Sequence, residues 1–456
     1  HRSVRHGPYS CGKTETAMPA PLLLIETTET LPPAADVVVI GGGIVGACTA
    51  YYLARRGVKV ALVEKGRIGA EQSSRNWGWC RQQNRDAREL PMATASLALW
   101  EAMAGEIGES VGFRRTGLLY LSNDEAEIAG WTRWRDFART QGVVTHMLSA
   151  AEAAERGCAT GKPWKGGVFS PTDGTADPER AAPVIARGVM RSGGSVHQSC
   201  AARGLELEAG RVAGVVTEAG TIRTRTVVLA GGAWASSFCR QLGIRFPQAA
   251  VRSSILAVGP GAAGPDALHT SRISLTRRGN GGYTLAVSGN ARVDPTPQQI
   301  RFARSFLPMF ARRFRVLAPG GLQAWRAGHE TRARWALDRP TPMERTRILD
   351  PRPDAGMIRE TLARARELLP GLAQVPVTAE WAGYIDSTPD GVPAIGETAI
   401  PGLILAAGFS GHGFGIGPGA GHLIADMVTG APPLLDPAPY APARLDRSAW
   451  GKVSDF

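Results

Sequence analysis

Residues 36–64 read DVVVIGGGIVGACTAYYLARRGVKVALVE. The apolar run Val37-Val38-Val39-Ile40 predicts a short buried strand, 47–56 a helix, and 58–63 a second strand that ends on Glu64. Between the first strand and the helix, Gly41, Gly43 and Gly46 have the spacing G-x-G-x-x-G. Each residue type meets a requirement of dinucleotide binding. Gly41 permits the tight turn, Gly43 lets backbone approach a pyrophosphate, and Gly46 lets the helix pack closely on the strand. Ile44 and Val45 stand at the helix N-terminus, where free N–H groups and a partial positive charge favour phosphate. Glu64 can accept hydrogen bonds from ribose hydroxyls and would repel a 2′-phosphate, which disfavours NADP. A Gly-rich helix cap could carry the same glycines without a ligand, but strand, helix and terminal acid together favour the dinucleotide.

The chain has 456 residues, more than one ordinary core, so two domains or a large composite are expected. With 43% hydrophobic and 20% charged residues it matches a folded globular chain. Its net charge is +12. Such a balance can serve nucleic acid, an anionic membrane or acidic substrates. The arginines are scattered, with no run of five like charges and no nucleic-acid motif, so nucleic acid is not expected as a partner. Peripheral contact with the inner face of an anionic membrane stays open. Cys11, Cys48, Cys80, Cys158, Cys200 and Cys239 form no C-x-x-C and no His-containing metal spacing. Neither a disulfide framework nor a metal is expected, which fits a reducing cytoplasm. The longest apolar stretch, 37–54, is the fingerprint itself, so no transmembrane helix is expected. Residues 1–35 lack the pattern of a signal peptide and read as a disordered or non-native tail, with Met18 as the natural start.

The loop 65–79, KGRIGAEQSSRNWGW, gathers Lys65, Ser73, Ser74, Arg75 and Asn76 just beyond the acid. These donors could reach a pyrophosphate or cap the next helix. Trp77 and Trp79 could wall an aromatic cofactor or fill core. Helices are expected at 85–107, 125–141 and 179–192, and a small meander at 194–225. The run TVVLAGGAW at 226–234 predicts another parallel strand whose glycine end, at Gly231, faces the cofactor. From 247 to 375 apolar–polar alternation and helices at 297–314 and 355–369 predict an inserted α+β region. A strand at 403–407, the Gly-rich turn GFSGHGFG at 408–415 and a helix at 418–428 make a second strand–turn–helix unit. Its N-terminus offers another set of donors, as a cofactor with an anionic end at each extremity would need. The Pro- and Ala-rich stretch 431–456 reads as a loosely docked tail.

Four ordered motifs resemble the FAD-dependent D-amino-acid oxidase superfamily, whose members include glycine oxidase, sarcosine oxidase and D-amino-acid dehydrogenases. They are the fingerprint, VVLAGGAWAS at 227–236, WAGYIDSTPDGVPAIG at 381–396 and AGFSGHGFGIGPGAG at 407–421. The resemblance covers about residues 35–430. It implies an α/β, Rossmann-like FAD domain of the glutathione-reductase type with βαβ first, formed by 36–111, 170–246 and 376–430. An α+β substrate or cap domain with an antiparallel sheet would come from 112–169 and 247–375. Carried over by position, Ala202 looks like a backbone contact to the adenine. Gly411, His412, Gly413 and Phe414 look like the segment along the isoalloxazine, and the helix after Gly415 would point its positive end at that ring.

The chemistry so implied is oxidation of a C–N bond in an amino acid or secondary amine: a D-amino acid, an N-substituted glycine, a proline-like compound or an opine. Hydride would leave to FAD, the imine would hydrolyse, and oxygen or a quinone would accept the electrons. With no Cys after Cys239 and no His between His6 and His146, the FAD is expected to be non-covalent. The family's carboxylate-gripping Arg has no counterpart, because Ile385 stands at its place. Arg81, Arg277 and Arg278 are candidate replacements, with Tyr283 nearby and Tyr384 beside the gap. Asp386 would favour an amine-bearing substrate arm if it faces the cavity, or cap the following turn. No catalytic base is assigned, and His269, His329 and His422 read as structural. The alternatives are an NAD-dependent dehydrogenase and a flavoprotein subunit of a multi-subunit dehydrogenase.

Overall fold

The structure is a computed structural model and describes residues 20–287, 289–327, 332 and 334–445. The expectations for Cys11, Met18 and His329 fall outside these residues.

The fingerprint folds as β1 (Val37–Ile40), α1 (Ile44–Arg55) and β2 (Val60–Val63). Both strands are buried at every position, as expected where helices cover both faces of a parallel sheet. A six-stranded sheet is built around them, in the order Ala394–Glu397, Leu403–Ala407, Thr226–Leu229, β1, β2, Ser195–His197. All neighbours run parallel except the edge strand Ala394–Glu397. On one face α1 packs against Ala181–Arg191 and against the late helix Gly413–Thr429. The approach of the two long helices depends on glycine: a Cβ on Gly421 would lie 2.5 Å from the Cβ of Cys48. Both glycine turns therefore open at the same edge of the sheet.

A second, ten-stranded sheet is mixed and mostly antiparallel. Its strands come from Leu118–Ser122, His146–Leu148 and Gly166–Ser170, from several segments between 249 and 319, and from Val377–Ser387. Among the described residues no helix is long and apolar enough to cross a membrane.

Four boundaries differ from the sequence reading. Ser195–His197 extends the parallel sheet beside β2 rather than starting the meander, which holds only Ala202–Glu208, Arg211–Thr217 and Gly220–Arg223. Val377–Ser387, expected with the nucleotide-binding segments, pairs along its length with Ala249–Val258 in the second sheet. Residues 20–35 are not a loose tail. Their backbone bonds to Glu179, Val196 and Arg223, and Ala20 is buried beside Trp77 and Trp381. Residues 431–445 are docked as well. Tyr440 is fully buried with its hydroxyl on the Arg88 carbonyl, and Arg444 pairs with Asp390. In both segments a few buried anchors offset the chain entropy that composition alone suggests would win.

Candidate active site

Gly41 has φ +109°, and a Cβ there would stand 2.3 Å from the Ala230 carbonyl. At Gly46 it would stand 1.9 Å from the Gly41 carbonyl. Both glycines hold helix, turn and strand together. Gly43 is different: its added Cβ would meet only Ser73 Oγ, at 3.1 Å, so this backbone faces open space. That space is a cleft of about 950 Å³ lined by Gly41, Gly43, Glu64, Ala202, Gly231 and Trp234 among others. A contiguous cavity of about 610 Å³ shares Gly43, Ser73 and Asp386 with it and is lined further by Ile44, Val45, Gly411, Gly413 and Phe414. The N-termini of α1 and of the late helix thus open on one continuous cleft.

Glu64 is held from both sides. One carboxylate oxygen accepts the Gly42 N–H and the other the Gly66 N–H, each at 2.7 Å. Burial pushes its carboxyl above the usual range, while Lys65 and the two amides oppose the shift. Each oxygen keeps a lone pair for a further donor.

The cluster after Glu64 divides. Ser73 lines the cleft and accepts the Ile44 N–H at 2.8 Å, capping α1. Ser74 turns back to the Glu71 carbonyl and lines a separate small hollow. Lys65 pairs with Glu71 and lies 4.5 Å from the Trp234 ring centroid. Arg75 is buried and donates to Ala70 O, Ala382 O and Asp350, yet its Nη2 has no partner. The buried Oε1 of Gln72 is likewise unpartnered. Both side chains line the large cleft. An orphaned donor, Arg75 Nη2, and an orphaned acceptor, Gln72 Oε1, beside an open glycine backbone and a doubly held acid make a mixed donor and acceptor set that suits a ligand with a pyrophosphate and a ribose.

At the other end, Phe414 packs on Trp100, whose indole N–H donates to the Gly415 carbonyl at 2.9 Å. Gly415 itself lies against the backbone of Trp79 and Cys80. His412 is half-buried and bonds through Nδ1 to the fully buried Glu89 at 3.0 Å. Burial and the nearby Arg85 hold its ring down to about 4, so it is neutral at pH 7 and donates to the Glu89 carboxylate. Arg85 is buried too, its Nη1 has no partner, and burial with the adjacent Arg81 lowers its guanidinium to about 10. Next to the two arginines stand Tyr120 and His269, with ring centroids 4.9 Å apart, and Trp79 about a ring away from both. Burial and Arg81 press the His269 ring down to about 3. Burial pushes Asp173 up to about 6, although it accepts the N–H groups of Gln82 and Gln83 and faces both arginines.

Three of the substrate candidates are not brought to the cleft. Tyr283 is fully buried in the core of the second sheet and donates to the Pro265 carbonyl. Arg278 pairs with Glu179 at 2.6 Å in the small hollow near Asp177. Arg277 is tied to Asp266 and lies over the Tyr283 ring. Arg277 and Tyr283 are cross-strand partners, Arg278 follows the end of the strand Ser274–Arg277, and none of the three lines the cleft. Tyr384 lines the large cleft at the nucleotide end, with its hydroxyl on Asp294. Asp386 reaches both cavities, but one oxygen accepts Gln248 Nε2 and the Gly408 N–H. It ties the end of its strand to the second glycine turn rather than capping the turn that follows it. Missed in the sequence were Gln72, Arg85, Glu89, Tyr120 and Asp173, and also Met343 and Leu349, which close the cleft from far along the chain. The spacing Arg81–Arg85–Glu89 was the one available signal.

Residues 36–427 match the family model described as FAD dependent oxidoreductase. The chain belongs to this family. Glycine oxidase of Pseudomonas putida is 28% identical over 427 residues, covering 89% of this chain and 98% of that one. Sarcosine oxidase subunit beta of Rhizobium meliloti is 25% identical, covering 93% and 90%. Among solved structures, L-amino acid deaminase from Proteus myxofaciens, in complex with anthranilate, superposes with a TM-score of 0.89 at 28% identity, covering 93% of this chain and 96% of that one. The protein is an FAD-dependent oxidoreductase, and the NAD-dependent alternative is set aside. The cleft suits that cofactor, because helix N-termini meet it at two places where a nicotinamide dinucleotide fingerprint would supply one.

Proposed function

We propose that the protein oxidises the C–N bond of an α-amino acid, primary or N-substituted, with the substrate carboxylate at Arg81 and Arg85. The observation that carries this is the arginine pair beside Gly411–Phe414, with a guanidinium N–H left unpartnered. Glu89 accepts from His412 and Asp173 from backbone N–H groups; both lie near Arg85 and offset part of its charge, but neither takes its Nη1, which is left for an anion. Trp79, Tyr120 and His269 give the side chain of such a substrate an apolar wall. Bound FAD supplies the hydride acceptor. Gly41, Gly43, Ile44, Val45 and Gly46 would hold its pyrophosphate, Glu64 its ribose, Ala202 its adenine, and Gly411, His412 and Gly413 its ring. The N-terminus of the late helix would stabilise negative charge developing there. The substrate amine must be neutral before the C–H bond breaks, and water then hydrolyses the imine to a keto acid and ammonia, or an amine where the nitrogen is substituted.

The likenesses to glycine oxidase, sarcosine oxidase subunit beta and L-amino acid deaminase support an amino-acid or secondary-amine substrate. The parallel sheet with its three-stranded meander supports an FAD unit of the glutathione-reductase type, with the ten-stranded sheet as the cap. Oxygen or a quinone is the acceptor of this reading, and the cytoplasm its compartment. The test is anaerobic mixing of the flavin-loaded protein with L-, D- and N-methyl amino acids and opines. Bleaching of the flavin band names the substrate class, an oxygen pulse separates oxidase from dehydrogenase, and failure of every amino acid overturns the reading.

A further inference from the structure

The helix Pro297–Arg313 is amphipathic in an unusual sense. Gln298 and Phe302 face the protein and are buried. A second apolar stripe, at helical spacing, faces water: Ile300 is 60% exposed, Leu307 51% and Phe310 53%. Phe314 continues that stripe, and Val316, Leu322 and Trp325 are exposed in the following segment. Exposed large apolar groups gathered on one segment mark an interaction surface. The charge carried by the segment itself has one sign. Residues 297–326 contain Arg301, Arg304, Arg312, Arg313, Arg315 and Arg326 and no Asp or Glu. On the flank of the helix, an open basin of about 660 Å³ is lined by Arg240, Arg245, Arg301 and Arg334 with no carboxylate among its lining residues.

We propose that this face docks on an anionic lipid bilayer, with the Ile300–Leu307–Phe310–Phe314 stripe in the interfacial region and the arginine basin against lipid phosphates. An apolar helical stripe flanked by arginines is what an interfacial helix presents, and the net charge of +12 attracts the whole molecule to such a surface. A second copy of this chain is disfavoured as occupant, because a two-fold contact would bring the same arginines face to face. This inference is independent of the substrate reading.

The test is flotation of the full-length, flavin-loaded protein with vesicles of phosphatidylcholine alone and of phosphatidylcholine mixed with phosphatidylglycerol. The protein is expected to float with the mixed vesicles only. L307E/F310E should lower the bound fraction more than tenfold, with flavin content and melting temperature unchanged. R301Q/R315Q should lower it roughly tenfold at low salt and less at high salt. If L307E/F310E loses its flavin, I300S/L322S replaces it. The proposal is overturned if the wild type stays unbound with mixed vesicles, or if the apolar variants float like the wild type. It is also overturned if the wild type sediments as a dimer that L307E/F310E dissociates without affecting flotation.

Discussion

The two ends of the cleft are built on different principles. At the Gly41–Glu64 end, the proposed FAD contacts are mostly backbone, and one continuous segment of strand, turn, helix and strand supplies most of them. Around Arg81 and His412, the proposed substrate contacts are side chains. They are delivered by the loop 81–89, the strand Leu118–Ser122, the strand Ala267–His269 and the second glycine turn. Backbone recognition needs glycines at fixed local spacing. Side-chain recognition can be assembled from any elements the fold brings together.

Within the first end, the glycines should separate by role. Gly46→Val forces a Cβ into the Gly41 carbonyl, and should cost at least about 3 kcal/mol of stability, read as loss of soluble, yellow protein. Gly43→Val meets only Ser73 Oγ, at 3.1 Å, which can turn aside. It should leave the melting temperature of the flavin-free protein unchanged and raise the FAD dissociation constant about a hundredfold, since the side chain occupies the phosphate's place. Equal damage from both would break the distinction between packing and ligand glycines.

Across the cleft, Arg85→Met should raise KM for the amino acid some 10- to 100-fold with the flavin spectrum retained, the loss of one charge-assisted contact. Glu64→Gln should do the converse, weakening FAD about tenfold and leaving KM alone at saturating FAD. If either variant shifts both quantities together, the two ends are not separable. The smallest effect is on pH. His412 and His269 are held below 6.5 in the fold, at about 4 and 3, so below pH 6.5 the unfolded chain binds protons the folded one refuses. Stability should therefore fall as pH drops from 6.5 toward 4. Asp173, raised to about 6, works in the opposite direction between its ordinary value and 6, and blunts the slope. Denaturant titrations at pH 7 and 5 should show the loss, and His412→Asn should reduce it by at most a few kcal/mol.

The same contrast decides what was readable in the sequence. Gly41, Gly43, Gly46 and Glu64 announce themselves because their spacing is set by one turn of one supersecondary unit. The second glycine turn at Gly411 was readable for the same reason, and with it the ligand lengthened from a dinucleotide fingerprint to FAD. Tyr283 and Arg278 were misplaced because nothing local in the sequence says which residues of this region meet the cofactor. Arg85, Glu89 and Asp173 were missed because each acts through partners distant in sequence. Asp386 is a middle case: its position at the cleft was legible, and its engagement by Gln248 and Gly408 was not.

The most direct measurement pairs each amino acid with the amine that lacks its carboxyl group, mixed anaerobically with the flavin-loaded wild type and with Arg85→Met. The account predicts that the amino acid bleaches the wild-type flavin band, that the amine does not, and that Arg85→Met needs far more amino acid for the same rate. An amine that bleaches the band as readily as its parent amino acid, in wild type and variant alike, would contradict it.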